Sequence, residues 1–264
     1  MIVDGKALAK DIYTEVAQVV SGFSRAPVMA AITCAPNFET QKYLELKKRK
    51  AAEVGITLRV VELPETITTA EAVACVRAVL PDVDGIVVQL PFPAQVDREV
   101  LLAAVPAEKD PDGFSYEQTQ MGCLPPVAGA VKIIAEKYNI DFRGKNVVVL
   151  GAGRLVGAPV AHFLNSAGAQ VTTLTEHDEQ PFEVIKSADV IVTGIGQPHF
   201  IKPEHVKEGV IIFDAGTSED GGLMVGDVEP AVADQAALFT PVPGGIGPIT
   251  VALLLRNLAS LVRR

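Results

Sequence analysis

The fold of this chain is decided by residues 147–157, which read Val-Val-Val-Leu-Gly-Ala-Gly-Arg-Leu-Val-Gly. An apolar, β-branched run that ends in three glycines predicts a strand turning into a helix, here one that starts near Leu155. Gly151 permits the tight turn, Gly153 lets the backbone approach a phosphate, and the free N–H groups of the helix N-terminus attract a dinucleotide pyrophosphate. The last glycine, Gly157, lies one residue beyond the commonest fingerprint. An ordinary glycine-rich turn shows the same residues, so the surrounding sequence has to decide.

The composition excludes several classes of protein. Lysine and arginine number 23 against 32 aspartates and glutamates, and the net charge of −9 gives no general basic field for nucleic acid. The sequence has no uncharged apolar stretch long enough to cross a bilayer and no run that resembles a signal peptide. Cys34, Cys75 and Cys123 lack metal-type spacing, and the four histidines form no paired motif. We therefore expect reduced thiols, a cytoplasmic location and no metal site.

Strand-like and helical patterns alternate through most of the 264 residues. Strands are predicted at residues 28–35, 56–63, 84–90, 146–150, 170–175, 188–193 and 210–215, and helices at residues 39–54, 69–80, 129–137, 159–167 and 249–262. This alternation predicts an α/β fold with mainly parallel sheets flanked by helices. A stretch rich in proline, glycine and polar residues, 111–126, separates two such units.

We expect two domains with a cleft between them. The first is residues 1–118, completed by the C-terminal helix 249–264, and the second is residues 119–248, a Rossmann-type dinucleotide-binding domain. The last helix is strongly apolar and follows a rigid Pro/Gly segment at residues 240–248. Such a helix needs a partner surface, so we expect it to return and pack on the first domain.

One lysine falls on an apolar helix face. At about 100° per residue, Lys47 lies in the middle of the face that comprises Tyr43, Leu44, Leu46, Ala51 and Val54, whereas Lys42, Lys48 and Arg49 point elsewhere. Burial there lowers the pKa of an ammonium group, which is what a lysine acid/base needs near neutral pH. A lysine that only lays its stem along the core and extends its ammonium into solvent fits the same pattern.

Two further segments carry polar side chains at candidate positions. Gln89 follows the strand-like residues 85–88, and the carboxyl end of a parallel strand is where open α/β sheets bind ligands, although an ordinary strand exit looks the same. Residues 109–114, Lys-Asp-Pro-Asp-Gly-Phe, place two carboxylates in a tight turn. An Asx-type turn that satisfies local backbone N–H groups explains them equally well. The further oxygen ligands of a calcium loop are missing.

Together these segments closely resemble the bifunctional methylenetetrahydrofolate dehydrogenase/methenyltetrahydrofolate cyclohydrolase family (FolD). The resemblance runs from Ile2-Val3-Asp4-Gly5-Lys6 to the final helix. The other matching motifs are Tyr43-x-x-x-Lys47 with Gly55-Ile56, Val88-Gln89-Leu90-Pro91, Lys109-Asp110-x-Asp112-Gly113-Phe114, Gly226-Asp227-Val228 and Thr240-Pro241-Val242-Pro243-Gly244-Gly245-Ile246-Gly247-Pro248. The last motif is the most specific, because so long a near-match does not arise by chance.

The resemblance implies a two-step folate chemistry. NAD(P) accepts a hydride from methylenetetrahydrofolate and leaves a methenyl cation, and water then adds and opens the ring to give formyltetrahydrofolate. By analogy with the family, Lys47 is the acid/base of the water step and Gln89 hydrogen-bonds and tunes it. Tyr43 lies along the aminobenzoate ring, and Asp112 binds the pterin through its N–H groups. A homodimer is also implied.

The resemblance assigns two sets of binding residues. The folate-binding set is Tyr43, Gln89, Leu90, Pro91, Asp112, Pro243, Gly244 and Gly245. The set for NAD or NADP is Gly151, Gly153, Arg154, Leu155, Val156, Gly157, Thr175, Glu176, Gly194, Gly196, Gly216, Ile246 and Thr250. It implies no metal, no nucleic acid and no membrane partner.

The sequence departs from the family at the dinucleotide site. Many members have Gly-Arg-Ser after the nucleotide-binding strand, whereas this chain has Gly151-Ala152-Gly153-Arg154, so the arginine is displaced or absent from its usual place. After the next strand stands Glu176, near a position where NADP-dependent members commonly have a serine. A carboxylate accepts hydrogen bonds from a free ribose 2′-OH and repels a 2′-phosphate, which favours NAD. An Arg154 that reached a phosphate would favour NADP instead.

A second departure is the stretch Cys123-Leu124-Pro125-Pro126-Val127-Ala128-Gly129, where the family usually has Pro-Cys-Thr-Pro-x-Gly. The threonine hydroxyl is missing, but Lys47, Gln89 and Asp112 are present, so we expect both activities. A monofunctional methylenetetrahydrofolate dehydrogenase is one alternative. A shikimate-dehydrogenase-like NAD(P) oxidoreductase is another, although those enzymes lack the Pro-Gly-Gly-x-Gly-Pro loop. A nucleotide sensor without turnover would have no need of a tuned lysine.

Overall fold

The computed structural model describes residues 1–116 and 123–262, apart from the side chains of residues 38 and 39. It divides into two compact units. The lysine unit, named for Lys47, comprises Lys10–Pro125 and Val251–Arg264. The glycine-loop unit, named for the turn that contains Gly151, comprises Met1–Ala9 and Pro126–Thr250.

Strands and helices alternate in both units. The chain begins with α1 (Gly5–Ser21), and the lysine unit continues through β1 (Val28–Cys34), α2 (Phe38–Glu53), β2 (Thr57–Leu63), α3 (Thr69–Val79), β3 (Gly85–Val88) and α4 (Arg98–Ala103). The glycine-loop unit continues through α5 (Pro126–Lys137), β4 (Asn146–Leu150), α6 (Gly157–Ser166), β5 (Gln170–Leu174), α7 (Pro181–Ser187), β6 (Val190–Thr193), β7 (Ile211–Asp214), β8 (Ser218–Asp220), β9 (Leu223–Val225) and β10 (Leu238–Phe239). The last helix, α8 (Ile246–Val262), begins in the glycine-loop unit and ends in the lysine unit.

The sheet of the lysine unit is parallel, with the strand order β2-β1-β3. Ile32 in β1 lies opposite Val61 of β2 and Val88 of β3. The strands β1 and β3 are almost completely buried, as parallel strands covered on both faces must be. Their apolar side chains form a core with α3 and α4 that includes Ala30, Ile32, Val76, Ile86 and Leu101.

Local signals fix both ends of α2. Asn37 precedes the helix, and its side-chain oxygen accepts a hydrogen bond from the backbone N–H of Thr40 at 2.8 Å. At the other end Gly55 adopts φ +79°, and the N–H of Ile56 donates to the carbonyl of Ala51 at 2.9 Å. This left-handed residue and backbone bond are typical of a helix that stops at a glycine. These signals therefore fix where α2 begins and ends.

The sheet of the glycine-loop unit is also parallel, with the strand order β10-β7-β6-β4-β5. The strand β4 has β5 on one side and β6 on the other. After β5 the chain therefore crosses back over β4 and adds its later strands on the opposite side, which makes β4 the point where the strand order reverses. In open α/β sheets ligands bind outside the carboxyl ends of the strands at such a reversal. The glycine turn follows β4 and lies at this point.

The third glycine of the turn allows a close approach of two backbone segments. A Cβ atom at Gly157 would meet the carbonyl oxygen of Gly151, which itself has φ +87°. Residues 154–156 form a turn, and α6 begins at Gly157 rather than near Leu155 as the sequence predicted. The extra residue between the second and third glycines is therefore accommodated before the helix starts.

The compact units differ from the expected domain boundaries at the N-terminus. Residues 1–9 belong to the glycine-loop unit because Ile2 pairs with Phe239 in a parallel bridge. The backbone N–H of Val3 donates to the Phe239 carbonyl at 2.9 Å. β10 is the last strand of the sheet, and such an edge strand readily accepts another segment of chain. Residues 2 and 3 fill this position. The expected boundary after residue 118 falls outside the described residues, and the units divide between Pro125 and Pro126 and again after Thr250.

Candidate active site

Lys47 is buried in the lysine unit, with 6% of its surface exposed. The face of α2 agrees with the helical pattern, since Leu44, Ala51 and Val54 are buried and Lys42, Lys48 and Arg49 are exposed. An ammonium that reaches the solvent does not fit this burial. Burial instead lowers the pKa of Lys47, because the charged form loses its hydration.

Gln89 provides the hydrogen-bond partner that the resemblance implied. The Nζ of Lys47 donates to the Oε1 of Gln89 at 2.8 Å. The other end of the amide donates from Nε2 to the carbonyl of Leu90 at 3.2 Å, which fixes the direction of the side chain. The backbone N–H of Gln89 continues the strand ladder by donating to the carbonyl of Ile32 at 2.8 Å. The cis peptide bond Leu90-Pro91 follows directly.

Asp112 and Tyr43 complete the surroundings of the Lys47 ammonium. The negative charge of Asp112 raises the pKa of Lys47 and so opposes the larger effect of burial. Burial raises the pKa of Asp112, and the positive charge of Lys47 lowers it. The Nζ of Lys47 lies 4.7 Å from the centroid of the Tyr43 ring, within the range of a cation–π contact. The structure thus brings together all four residues predicted to be catalytic.

The two carboxylates of the tight turn have different surroundings. Asp110 is 2% exposed, and its carboxylate accepts backbone N–H groups from Gly113 at 2.9 Å and Ser115 at 3.4 Å. Burial and the neighbouring charge of Asp112 raise the pKa of Asp110 to about 7. The Asx-type interpretation therefore holds for Asp110, whose carboxylate shapes the turn. Asp112 supplies the charge that interacts with Lys47.

Asn257, which the sequence analysis did not select, bonds one backbone carbonyl directly before Asp112 and another at Leu124. Its Nδ2 donates to the carbonyl of Pro111 at 2.9 Å and to the carbonyl of Leu124 at 3.0 Å. The available signal was an amide side chain in the mainly apolar α8. A Cβ atom at Gly113 would meet the carbonyl of Cys123, so these segments pass each other closely. The C-terminal helix therefore positions the aspartate turn.

In the glycine-loop unit, the residues predicted to bind the cofactor lie at the carboxyl ends of the strands. They are Gly151, Gly153, Arg154, Leu155, Val156 and Gly157 after β4, Thr175 and Glu176 after β5, Gly194 and Gly196 after β6, and Gly216 after β7. Chain neighbours aside, no described residue has an atom within 4 Å of a Cβ built on Gly153, which leaves its backbone open to a ligand. A Cβ on Gly194 would meet the side chain of Val156, so the loops after β4 and β6 pack directly on each other. These features fit a dinucleotide.

The loop after β5 is acidic and ordered by its own side chains. The backbone N–H and the hydroxyl of Thr175 donate to one carboxylate oxygen of Asp178, at 2.7 and 3.1 Å. Glu176 lies inside this turn with 84% of its side chain exposed, and a further acidic residue, Glu179, follows. The end of β5 therefore presents exposed negative charge.

The Pro/Gly segment is fixed at its turn and at the start of α8. The N–H of Gly5 donates to the carbonyl of Gly244 at 2.9 Å, and a Cβ on Gly5 would meet the carbonyl of Gly245. Pro243 follows a cis peptide bond, Ile246 begins α8, and the hydroxyl of Thr250 donates to the carbonyl of Gly247 at 2.7 Å. The predicted residues Pro243, Gly244 and Gly245 thus belong to the glycine-loop unit and not to the unit that carries Lys47.

Residues 1–116 and 123–262 contain neither a metal-binding cluster nor a membrane-spanning helix. Within these ranges, no cluster of three or more His, Cys, Asp or Glu side chains is arranged to hold a metal ion. In the same part of the chain no helix has both the length and the apolar character needed to cross a membrane. Among the described residues, the thiols of Cys34, Cys75 and Cys123 form no disulfide bond.

Comparisons with known proteins cover almost the whole chain. Residues 3–112 match the family model for the tetrahydrofolate dehydrogenase/cyclohydrolase catalytic domain, and residues 125–264 match the model for the NAD(P)-binding domain of the same family. The bifunctional protein FolD 2 of Arabidopsis thaliana is 36% identical over 100% of this chain and 95% of its own length.

Two solved structures show the same agreement. The bifunctional methylenetetrahydrofolate dehydrogenase/cyclohydrolase FolD of Campylobacter jejuni superposes with a TM-score of 0.93 at 32% identity and covers 100% of this chain and 98% of its own. The Trypanosoma brucei enzyme, solved with NADP and an inhibitor, gives 0.92 at 32% identity, with 100% and 97% covered. The site residues, the parallel α/β sheets and these matches all indicate the same family. This chain belongs to the tetrahydrofolate dehydrogenase/cyclohydrolase family.

Proposed function

We propose that this chain oxidises methylenetetrahydrofolate to methenyltetrahydrofolate with a nicotinamide dinucleotide and then hydrolyses the product to formyltetrahydrofolate. The observation that carries this proposal is the buried Lys47 ammonium, bound to Gln89 and next to Asp112, in the part of the chain that matches the family's catalytic domain. The named relatives of the whole chain are bifunctional enzymes of this chemistry. The family match favours this function over a shikimate-dehydrogenase-like oxidoreductase.

In the hydrolysis step Lys47 moves protons. Its lowered pKa makes a neutral amine accessible at a pH where an exposed lysine is fully charged. Water adds to the methenyl carbon, and Lys47 accepts a proton from it. As the carbon–nitrogen bond of the ring breaks, Lys47 returns a proton to the departing nitrogen, and the remaining hydroxyl proton leaves as the formyl C=O forms. Gln89 keeps Nζ directed during both transfers through its 2.8 Å hydrogen bond.

In the oxidation step the chain binds and orients the reactants. A bound nicotinamide cofactor supplies the hydride chemistry, so the protein contributes position rather than a proton-transfer group. The open backbone at Gly153 and the start of α6 would hold its pyrophosphate. Asp112 would accept hydrogen bonds from the pterin, and Tyr43 would pack along the aminobenzoate ring of the folate.

The structure suggests why the altered segment 123–129 is compatible with both activities. The missing threonine hydroxyl is not needed to hold this segment in place, because the carbonyl of Leu124 accepts a hydrogen bond from Asn257. The same Asn257 side chain holds Pro111 next to Asp112. A monofunctional dehydrogenase would instead release methenyltetrahydrofolate, which absorbs separately from reduced nicotinamide. We further propose a homodimer, from the family resemblance, and a cytoplasmic location, from three cysteines that are reduced rather than paired in disulfides.

We also propose that the cofactor is NAD rather than NADP. Glu176 lies at the end of β5, where the adenosine ribose binds in this fold, and Asp178 adds to the negative charge there. A ribose 2′-hydroxyl donates to a carboxylate, whereas a 2′-phosphate is repelled by it.

Lys47→Met tests the proton-transfer role. We expect the cyclohydrolase rate to fall at least about 100-fold, because general acid–base catalysis contributes about 10²–10⁴-fold. The dehydrogenase rate is expected to persist and methenyltetrahydrofolate to accumulate. The matched control is Lys48→Met, which changes an exposed lysine on the same helix. A Lys47→Met enzyme with the wild-type cyclohydrolase rate would remove Lys47 from this role.

The pH dependence of the hydrolysis provides a second test. Lys47 accepts a proton only when neutral, so kcat at saturating methenyltetrahydrofolate should rise with pH through its lowered pKa. The Asp112 carboxylate raises that pKa. Without this carboxylate the pKa of Lys47 falls further. We therefore expect Asp112→Asn to move the rising, acidic limb of the kcat–pH profile to lower pH by about one unit. The control is Asp82→Asn at an exposed position of the same unit. An acidic limb that stays in place, or moves to higher pH, contradicts the coupling.

Glu176→Ser tests the cofactor proposal. We expect the ratio of kcat/KM for NAD to kcat/KM for NADP to fall about tenfold, because the substitution removes the charge that opposes the 2′-phosphate. The control is Glu179→Ser, which removes an exposed acidic residue from the same loop. An unchanged ratio in Glu176→Ser would show that Glu176 does not select the cofactor.

A further inference from the structure

A buried carboxylate outside the strands organises the loop after β6. Asp227 follows β9 and is 0% exposed. Its carboxylate accepts the Thr193 hydroxyl at 2.7 Å and the backbone N–H groups of Ile195 and Gln197, both at 2.8 Å. Thr193 is the last residue of β6, so these bonds fix the four residues that follow the strand.

A second buried carboxylate organises the loop after β7. Asp214 ends β7, is 1% exposed, and accepts backbone N–H groups from Gly216 at 2.9 Å, Val228 at 3.0 Å and Asp227 at 3.3 Å. Its own N–H donates to the hydroxyl of Thr240 at 2.7 Å. The bond from the Asp227 backbone joins the two carboxylates into one network that spans the loops after β6, β7 and β10.

Two glycines leave the space that the carboxylates occupy. A Cβ on Gly216 would meet the carboxylate of Asp227, and a Cβ on Gly226 would meet the carboxylate of Asp214. Burying two neighbouring carboxylates is unfavourable for stability, and apolar residues would fill the same space at lower cost. Burial and the charge of Asp227 raise the pKa of Asp214 to about 7, despite its three backbone donors. Their placement is therefore better explained by the loops they hold.

The strand order shows which part of the cofactor these loops face. The adenosine ribose belongs at the end of β5 and the pyrophosphate at the glycine turn after β4. Since the sheet continues β5-β4-β6-β7, the other half of a bound dinucleotide would extend over the loops after β6 and β7. Those are the loops that Asp227 and Asp214 hold.

We infer that Asp227, together with Asp214, is a positioning residue for the nicotinamide half of the dinucleotide. The Asp227 carboxylate fixes the loop that contains Gly194 and Gly196. The Asp214 carboxylate accepts the N–H of Gly216. Hydride transfer depends on that geometry. This inference rests on the proposed function, because it assigns a role within the same cofactor site.

The test uses Asp227→Asn, which keeps the shape of the side chain but turns an NH₂ group toward backbone donors. We expect KM for NAD to rise about tenfold and kcat of the dehydrogenase step to fall, as the loss of charge-assisted hydrogen bonds predicts. The cyclohydrolase rate should stay within about twofold, because the residues proposed for that step lie in the other unit and need no cofactor. The inhibition constant of ADP, which lacks the nicotinamide half, should also be unchanged.

The matched control is Asp189→Asn. Asp189 precedes β6 and accepts the backbone N–H of Asn146 at 2.9 Å and the ammonium of Lys207 at 2.6 Å. Asp189 therefore makes similar bonds at the amino end of the same sheet. We expect Asp189→Asn to change thermal stability without changing KM for NAD. If Asp227→Asn does not fold, Thr193→Val removes one donor to Asp227 and should raise KM for NAD by a smaller factor.

Three results would overturn the inference. The first is a folded Asp227→Asn protein, or Thr193→Val in its place, with wild-type kinetics for NAD. The second is equal weakening of NAD and ADP, and the third is a parallel loss of cyclohydrolase activity, since either indicates a general structural role. A wild-type protein that does not reduce NAD or NADP at all would instead contradict the proposed function.

Discussion

The burial of one ammonium group on α2 is the constraint on which the lysine unit depends. A charged lysine loses hydration inside a protein, and here the surroundings compensate through one amide oxygen, one carboxylate and one aromatic ring. Gln89 reaches Nζ because it continues the β3 ladder, and Asp112 is close because Asp110 and Asn257 hold its turn. The α/β framework thus fixes, from three chain segments, the groups that surround the Lys47 ammonium.

The glycine-loop unit depends on backbone geometry, which its glycines permit and two buried carboxylates hold. Its parallel strands end in loops that contain glycine where a side chain would block either a neighbouring loop or a ligand. Gly157 lets α6 pack on the turn, and Gly216 leaves room for a buried carboxylate. The chemistry assigned to this unit, binding and orienting a dinucleotide, needs N–H groups at defined positions and no titrating side chain.

Much of this arrangement could be predicted from the sequence because it is local or periodic. The glycine turn identified the dinucleotide fold, and the helical period identified Lys47 as the lysine on the buried face. Gln89 could be selected because it follows an apolar strand. Each of these signals lies within a few residues of the feature it predicts.

The contacts that the sequence did not reveal join distant segments. Ile2 pairs with Phe239, which moves the first nine residues into the glycine-loop unit. Asn257 bonds to Pro111 and Leu124 across more than one hundred residues of chain. Asp227 lay within a motif of the resemblance, but its role depends on the loop after β6 that only the fold brings near. Periodicity carries no information about such pairings.

The central claim is that one chain carries both the oxidation and the Lys47-dependent hydrolysis. The most direct measurement mixes the purified protein with methylenetetrahydrofolate and NAD, or NADP in a parallel reaction, and follows reduced nicotinamide and methenyltetrahydrofolate by their separate absorbances. The account predicts reduction of the nicotinamide without a build-up of methenyltetrahydrofolate. Stoichiometric accumulation of methenyltetrahydrofolate would contradict the role of Lys47 in hydrolysis, and the absence of reduction with either cofactor would contradict the proposed enzyme function.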